Sequence, residues 1–101
     1  MDTVKLILYW DLIDDRDVEY FEFIVKDFIP TITELGLQTV EAWYVYYGGE
    51  HEYILSGIAD DIGALRRMLK SAKWAELVVD LLEYVTNYDQ KIIPAKEHLQ
   101  L

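Results

Sequence analysis

The chain contains no cysteine. That excludes disulfides, thiolate metal sites and thiol catalysis, and it fits a reducing compartment, with the cytoplasm as the expected location. Basic residues are scarce as well: nine Lys and Arg stand against 19 Asp and Glu, for a net charge of −10. Such a surface repels phosphate backbones and anionic bilayers, so neither nucleic acid nor a membrane is an expected partner. No apolar run approaches the ~18 residues that a membrane-spanning helix requires. Met1-Asp2-Thr3-Val4-Lys5 leads straight into a strand pattern, with no basic segment, apolar stretch and cleavage site of the kind that marks a leader. Proline occurs twice and glycine five times, and no proline-rich, Gly/Ser-rich or low-complexity stretch suggests a linker.

What is present is apolar bulk: 52% of the 101 residues are hydrophobic and 14% aromatic. That is too rich for disorder and implies one domain over residues 1–101. Val4 to Ile13 (VKLILYWDLI) is branched and aromatic throughout, which predicts a central strand. Asp14-Asp15-Arg16-Asp17 supplies a turn, with Asp15 as candidate N-cap and Asp17 near the positive end of a helix dipole. From Val18 to Leu35 the residues Phe21, Val25, Phe28, Ile32 and Leu35 recur at helical spacing and predict one buried face. Pro30 lacks a backbone donor and crowds the preceding turn, so a kink or a split is expected, and Gly36 suits the stop. Two strand-like runs, Gln38 to Tyr47 and Glu52 to Ala59, flank Gly48-Gly49-Glu50-His51 and read as an antiparallel hairpin. Asp60 or Asp61 can cap a helix carrying Ile62, Leu65, Met68 and Leu69, and Ser71 can cap another carrying Trp74, Leu77, Val78, Leu81 and Leu82. This pair is either one bent helix or two short ones. Tyr84 to Ile93 favours a fourth strand, ended by Pro94.

The order is therefore strand, helix, strand, strand, helix, strand. Alternate residues of a strand point to opposite sides of its sheet, so each run divides into two sets. Val40, Ala42, Leu55, Gly57 and Ala59 form a small aliphatic set on which helices can pack closely. The other set holds Glu41, Trp43, Val45, Tyr47, Ile54, Ser56 and Ile58, joined by Lys5, Ile7, Tyr9 and Asp11. A water-facing antiparallel sheet normally alternates apolar and polar residues, whereas this second face is largely apolar and aromatic. A second copy is the simplest cover. Burying half of a ~1,600 Å² interface as apolar surface, at ~25 cal/mol/Å², gives on the order of 20 kcal/mol before entropy and desolvation are subtracted.

Tyr9, Glu41, Trp43, Tyr47 and Ser56 are candidates to line a pocket between sheet and helices or between two sheets, with Tyr84 or Tyr88 closing one end. Such a site is mostly apolar with a few polar handles. Alternatively the same aromatics fill the interface between copies. A carboxylate on an apolar face must find a partner or be desolvated into a usable base, which makes Glu41 the candidate catalytic group. The plainer reading pairs it with Lys5 or a tyrosine hydroxyl. His51 lies between two acids with no second histidine at ligand spacing, so no metal is expected.

The element order resembles that of the dimeric α+β barrel superfamily, in which a ferredoxin-like βαββαβ protomer pairs its sheet with a second copy. Within it the sequence is similar to NIPSNAP-like domains: Leu6-Ile7-Leu8-Tyr9 in the first strand, Gly36 after the helix and Trp43 in the second strand match their pattern. Arg66 or Arg67 followed by Ser71-Ala72-Lys73-Trp74, and the closing Lys91-Ile92-Ile93-Pro94, extend the likeness. The resemblance implies an α+β fold, a homodimer formed through the sheet face, and a range of roles from cofactor-independent monooxygenases and lactone isomerases to haem enzymes. A haem enzyme of this kind presents an axial histidine inside the barrel. Here His98 falls in the tail and His51 in a hairpin turn, so no haem or other cofactor is expected. Three readings follow: a homodimer binding a small apolar or aromatic ligand, a cofactor-independent monooxygenase or isomerase using Glu41 as base with Tyr9 or Tyr47 orienting an oxygen, and an acidic protein-interaction module.

Overall fold

The computed structural model describes residues 3–13, 15–47 and 50–95. Its elements run β1 (Val4–Leu12), α1 (Asp17–Phe23), a π-helical turn (Ile24–Phe28), α2 (Ile29–Glu34), β2 (Gln38–Tyr47), β3 (Glu50–Ala59), α3 (Ile62–Leu69), α4 (Ala72–Leu81) and β4 (Val85–Pro94). The four strands form one antiparallel sheet in the order β2-β3-β1-β4. This is the ferredoxin-like α+β arrangement that the alternation of periods predicts.

Register decides which side chains share a face. Lys5 pairs with Ile58, Ile7 with Ser56 and Tyr9 with Ile54, while Glu41 and Trp43 of β2 sit opposite Ser56 and Ile54. Lys5, Ile7, Tyr9, Glu41, Trp43, Ile54, Ser56 and Ile58, described members of the apolar and aromatic set, therefore lie on one face. Leu6, Leu8 and Trp10 project to the other, where the helices bury them. Two bulges preserve this parity while inserting residues: one in β2 between Gln38 and Glu41, with Thr39 at φ 50°, and one in β4 opposite residues 9–11, with Asn87 at φ 57°. Asn87 steadies the second by donating its amide to Asp11 Oδ2 at 2.9 Å.

The first helical stretch corrects the expected inward face. Phe28 and Ile32 are fully buried, but Phe21 and Val25 are 49% and 66% exposed, and Tyr20, Phe23 and Ile24 take their place. The cause is the π turn, in which the N–H of Ile29 donates to the carbonyl of Ile24, five residues back. One residue more than an α-helical turn shifts the phase by about 100°, so a face that is right after the turn is wrong before it. The wide turn lies immediately before the proline-bearing helix α2, so the helix is not one regular α-helical rod: it is interrupted by a π turn while the helical backbone continues through.

Gly36 ends α2 at φ 118°, in a Schellman arrangement: Leu37 N–H donates to Ile32 C=O at 3.0 Å and Gly36 N–H to Thr33 C=O at 3.1 Å. Leu37 then lies over Gly57, where an added Cβ would stand 3.1 Å from its own. α3 and α4 are separate helices capped as expected, Asp61 accepting from Ala64 N–H at 2.8 Å and Ser71 from Trp74 N–H at 3.1 Å. α1 is not capped by Asp15: Arg16 holds the N-cap position without a side-chain bond, and Asp15 occupies a left-handed turn at φ 67°. Trp10 is a centre of the core, edge-on to Tyr20 and Phe28 and stacked on Tyr88. No helix among the described residues is long and apolar enough to cross a membrane.

Candidate functional site

The π turn that rotates Phe21 and Val25 outward also leaves space beneath them. A cavity of about 370 Å³ lies between α1 with its π turn and the hairpin of β2 and β3. Its helical wall is Tyr20, Phe21, Ile24, Val25 and Ile29; its sheet wall is residues 42–44 and 53–55. The small side chain of Ala42 makes room between larger neighbours. Tyr20, Ile24 and Leu55 are almost fully buried and form the floor, while Phe21, Val25 and Tyr44 are about half exposed or more and form the rim.

Aromatic edges dominate this enclosure. Tyr53 meets the rings of Tyr20, Phe21 and Tyr44 with centroids 5.4, 6.0 and 4.8 Å away. The Trp10 indole N–H donates to the Tyr20 hydroxyl oxygen at 2.9 Å, fixing that ring at the base of the cavity. Burial pushes the Tyr20 hydroxyl up to about 12, against a smaller opposing effect of the Trp10 bond. Burial also raises Tyr53, with the nearby Tyr44 and Asp17 adding to it. No residue lining the cavity carries a formal charge. The polar side-chain atoms carried by its lining residues are the hydroxyls of Tyr20, Tyr44 and Tyr53 and the indole nitrogen of Trp43.

The sheet divides the candidates named from sequence. Tyr9, Glu41, Trp43 and Ser56 share the far face, and of these Trp43 alone also borders the cavity. Glu41 is exposed there and makes no hydrogen bond or ion pair among the described residues. Ser56, in register between Ile7 and Glu41, is 1% exposed, and its hydroxyl has no partner among the described residues. The side chain of Tyr47, like those of His51 and His98, lies outside what the structure describes. Tyr84 and Tyr88 belong to the helix side: Tyr84 stacks on Phe23 under the Arg16 guanidinium, and Tyr88 stacks on Trp10 and donates to Gln90 Oε1 at 3.0 Å. Of the described candidates, Tyr9, Glu41, Trp43 and Ser56 thus lie on one side of the sheet and Tyr84 and Tyr88 on the other, because alternate strand residues emerge on opposite sides.

Tyr20, Tyr44 and Tyr53 were not singled out from sequence. Strand parity carried a usable signal for two of them, since Tyr44 follows Ala42 and Tyr53 precedes Leu55 at a spacing of two. Nothing local marks Tyr20, whose inward position depends on the π turn.

The fold places the chain in the α+β, ferredoxin-like class. No protein-family model and no curated protein sequence matches the chain. Solved structures do match in fold. A NIPSNAP family protein from Agrobacterium tumefaciens superposes with a TM-score of 0.73 at 10% identity, over 98% of both chains. SnoaB, a cofactor-independent oxygenase from Streptomyces nogalater, gives 0.68 at 16% identity over 100% of both. A dimeric protein of unknown function and ferredoxin-like fold from Bacteroides fragilis gives 0.63 at 18% identity, over 91% of this chain and 95% of the other. The fold is thus similar to that of NIPSNAP-like and other ferredoxin-like proteins.

Proposed function

We propose that the chain acts as a homodimer, paired through the far face of its sheet, in which each protomer holds a small neutral aromatic or apolar molecule in the cavity under α1. The cavity carries the ligand half of this reading: an uncharged, ring-lined space with a buried floor and an apolar rim suits a planar hydrophobic compound. The dimer half is supported by the apolar residues of the uncovered face, and by a structural neighbour described as dimeric. Binding is favoured over catalysis because the cavity's polar groups are neutral donors, and Glu41 lies across the sheet from it. In the catalytic alternative, a cofactor-independent monooxygenase or isomerase, Glu41 would meet its substrate between the two sheets.

The test uses a neutral fluorescent probe, N-phenyl-1-naphthylamine, with the wild-type chain and with Ala42→Phe, which fills the cavity from its sheet wall. The wild type is expected to bind the probe with enhanced emission, and Ala42→Phe to lose that enhancement while keeping the same mass in solution. Equal binding by both proteins would overturn the assignment.

A further inference from the structure

The hydroxyl of Tyr20 is unusual in how its bonding capacity is used. Its oxygen accepts the indole N–H of Trp10 at 2.9 Å, in a residue only 4% exposed. Its own proton has no acceptor among the described residues, although a phenol can both accept and donate. An unspent donor in so buried a group is costly unless something satisfies it. The ring lines the floor of the cavity, and no charged side chain is there to take the proton or to balance an anionic guest.

Resting on the ligand-binding reading above, we infer that Tyr20 is the specificity-determining donor of the site and that the guest presents a neutral carbonyl oxygen to it. Trp10 makes the assignment directional. By occupying the phenol oxygen with an N–H it leaves Tyr20 to act as donor, so a guest offering only a donor N–H or O–H finds less to bind there. Ionisation does not interfere near neutral pH, because burial raises the hydroxyl to about 12. An oxygen acceptor therefore satisfies the floor, while rings of the guest lie against Phe21 and Tyr53.

Two probes of matched shape separate this inference from the reading beneath it: 2-acetylnaphthalene, which has the carbonyl, and 2-isopropenylnaphthalene, in which a methylene replaces the oxygen. Affinities are measured for the wild type and for Tyr20→Phe. The variant is expected to weaken the ketone about 5- to 10-fold, the size of one net hydrogen bond, and to leave the hydrocarbon unchanged or tighter. A parallel shift for both probes, or none for either, overturns the role of Tyr20 while leaving the cavity intact. Failure of both probes to bind the wild type overturns the cavity reading itself, and the inference with it. Infrared spectroscopy on the wild type guards against a variant that misfolds: the bound ketone's carbonyl stretch should fall below its frequency in hexane, and an unshifted band refutes the hydrogen bond.

Discussion

Replacing Trp43 by Asp is the sharpest test of how the far face of the sheet is covered. In the single chain Trp43 is 46% exposed, beside Ile54 in register. A tryptophan side chain presents about 150–250 Å², so roughly 70–115 Å² of this one remains to be buried. At ~25 cal/mol/Å² that is about 2–3 kcal/mol for each copy and about 4–6 kcal/mol for a symmetric pair, before the carboxylate's desolvation is added. Each 1.4 kcal/mol is tenfold, so Trp43→Asp should raise the dimer dissociation constant by roughly a thousandfold or more. Sedimentation velocity across the micromolar range reads this directly. Circular dichroism should show the fold retained, because Trp43 lies outside the buried core. A wild type that sediments as a single chain throughout, or a Trp43→Asp protein that remains dimeric, would refute the reasoning.

Other expectations follow from the core and the helix ends. Below about pH 10 Tyr20 is protonated in both folded and unfolded chains; between about 10 and 12 only the unfolded chain ionises, so stability falls as pH rises through that window. The loss from Tyr20 is on the order of 2–3 kcal/mol. Urea unfolding at successive pH values, alongside a phenolate absorbance titration, should show it, and normal ionisation of all eight tyrosines in the folded protein would contradict it. Gly36→Ala meets nothing within 4 Å of the new methyl, so its cost is conformational only, about 1–2 kcal/mol from the positive φ of 118°. An unchanged urea midpoint would mean that the backbone relaxes out of that conformation.

The parts of the fold legible in the sequence are those that local chemistry decides. β1 is dense in branched and aromatic residues, Asp61 and Ser71 stand where capping oxygens are needed, and Gly36 occupies a position that requires a positive φ. The division of the hairpin into two faces was equally readable, because it needs only a period of two and a register. The phase of the first helix was not. A pattern of Phe21, Val25, Phe28 and Ile32 fits one uninterrupted α-helix, and the π turn that invalidates its first half leaves no local mark beyond Pro30. That same phase shift brings Tyr20 inward and leaves room beneath Phe21, so an uninterrupted helical period in the sequence does not reveal the cavity. Of the aromatic candidates, Tyr9 and Trp43 mark the far face and Tyr84 and Tyr88 the helix side, whereas the half-open cavity lies between α1 and the hairpin.

The hairpin of β2 and β3 serves both halves of the proposed function. One of its faces, Ala42, Tyr44, Tyr53 and Leu55, walls the cavity; the other, Trp43, Val45 and Ile54, is the surface that the proposed dimer would bury. A wall two strands wide, at the edge of a sheet, is free to flex when its outer face is bare, and packing that face restrains the inner one. Dimerisation and ligand binding should therefore be coupled, by about fivefold, toward the low end of known site-to-site couplings. Linkage makes the effect reciprocal: saturating N-phenyl-1-naphthylamine should tighten the dimer by the same total factor by which dimerisation tightens its two bound probes. The two factors can be measured independently, one by sedimentation with and without probe and the other by probe titration above and below the dimer dissociation constant. A dimer constant unaffected by saturating probe would show that the hairpin holds its shape unaided, and that its two faces act separately.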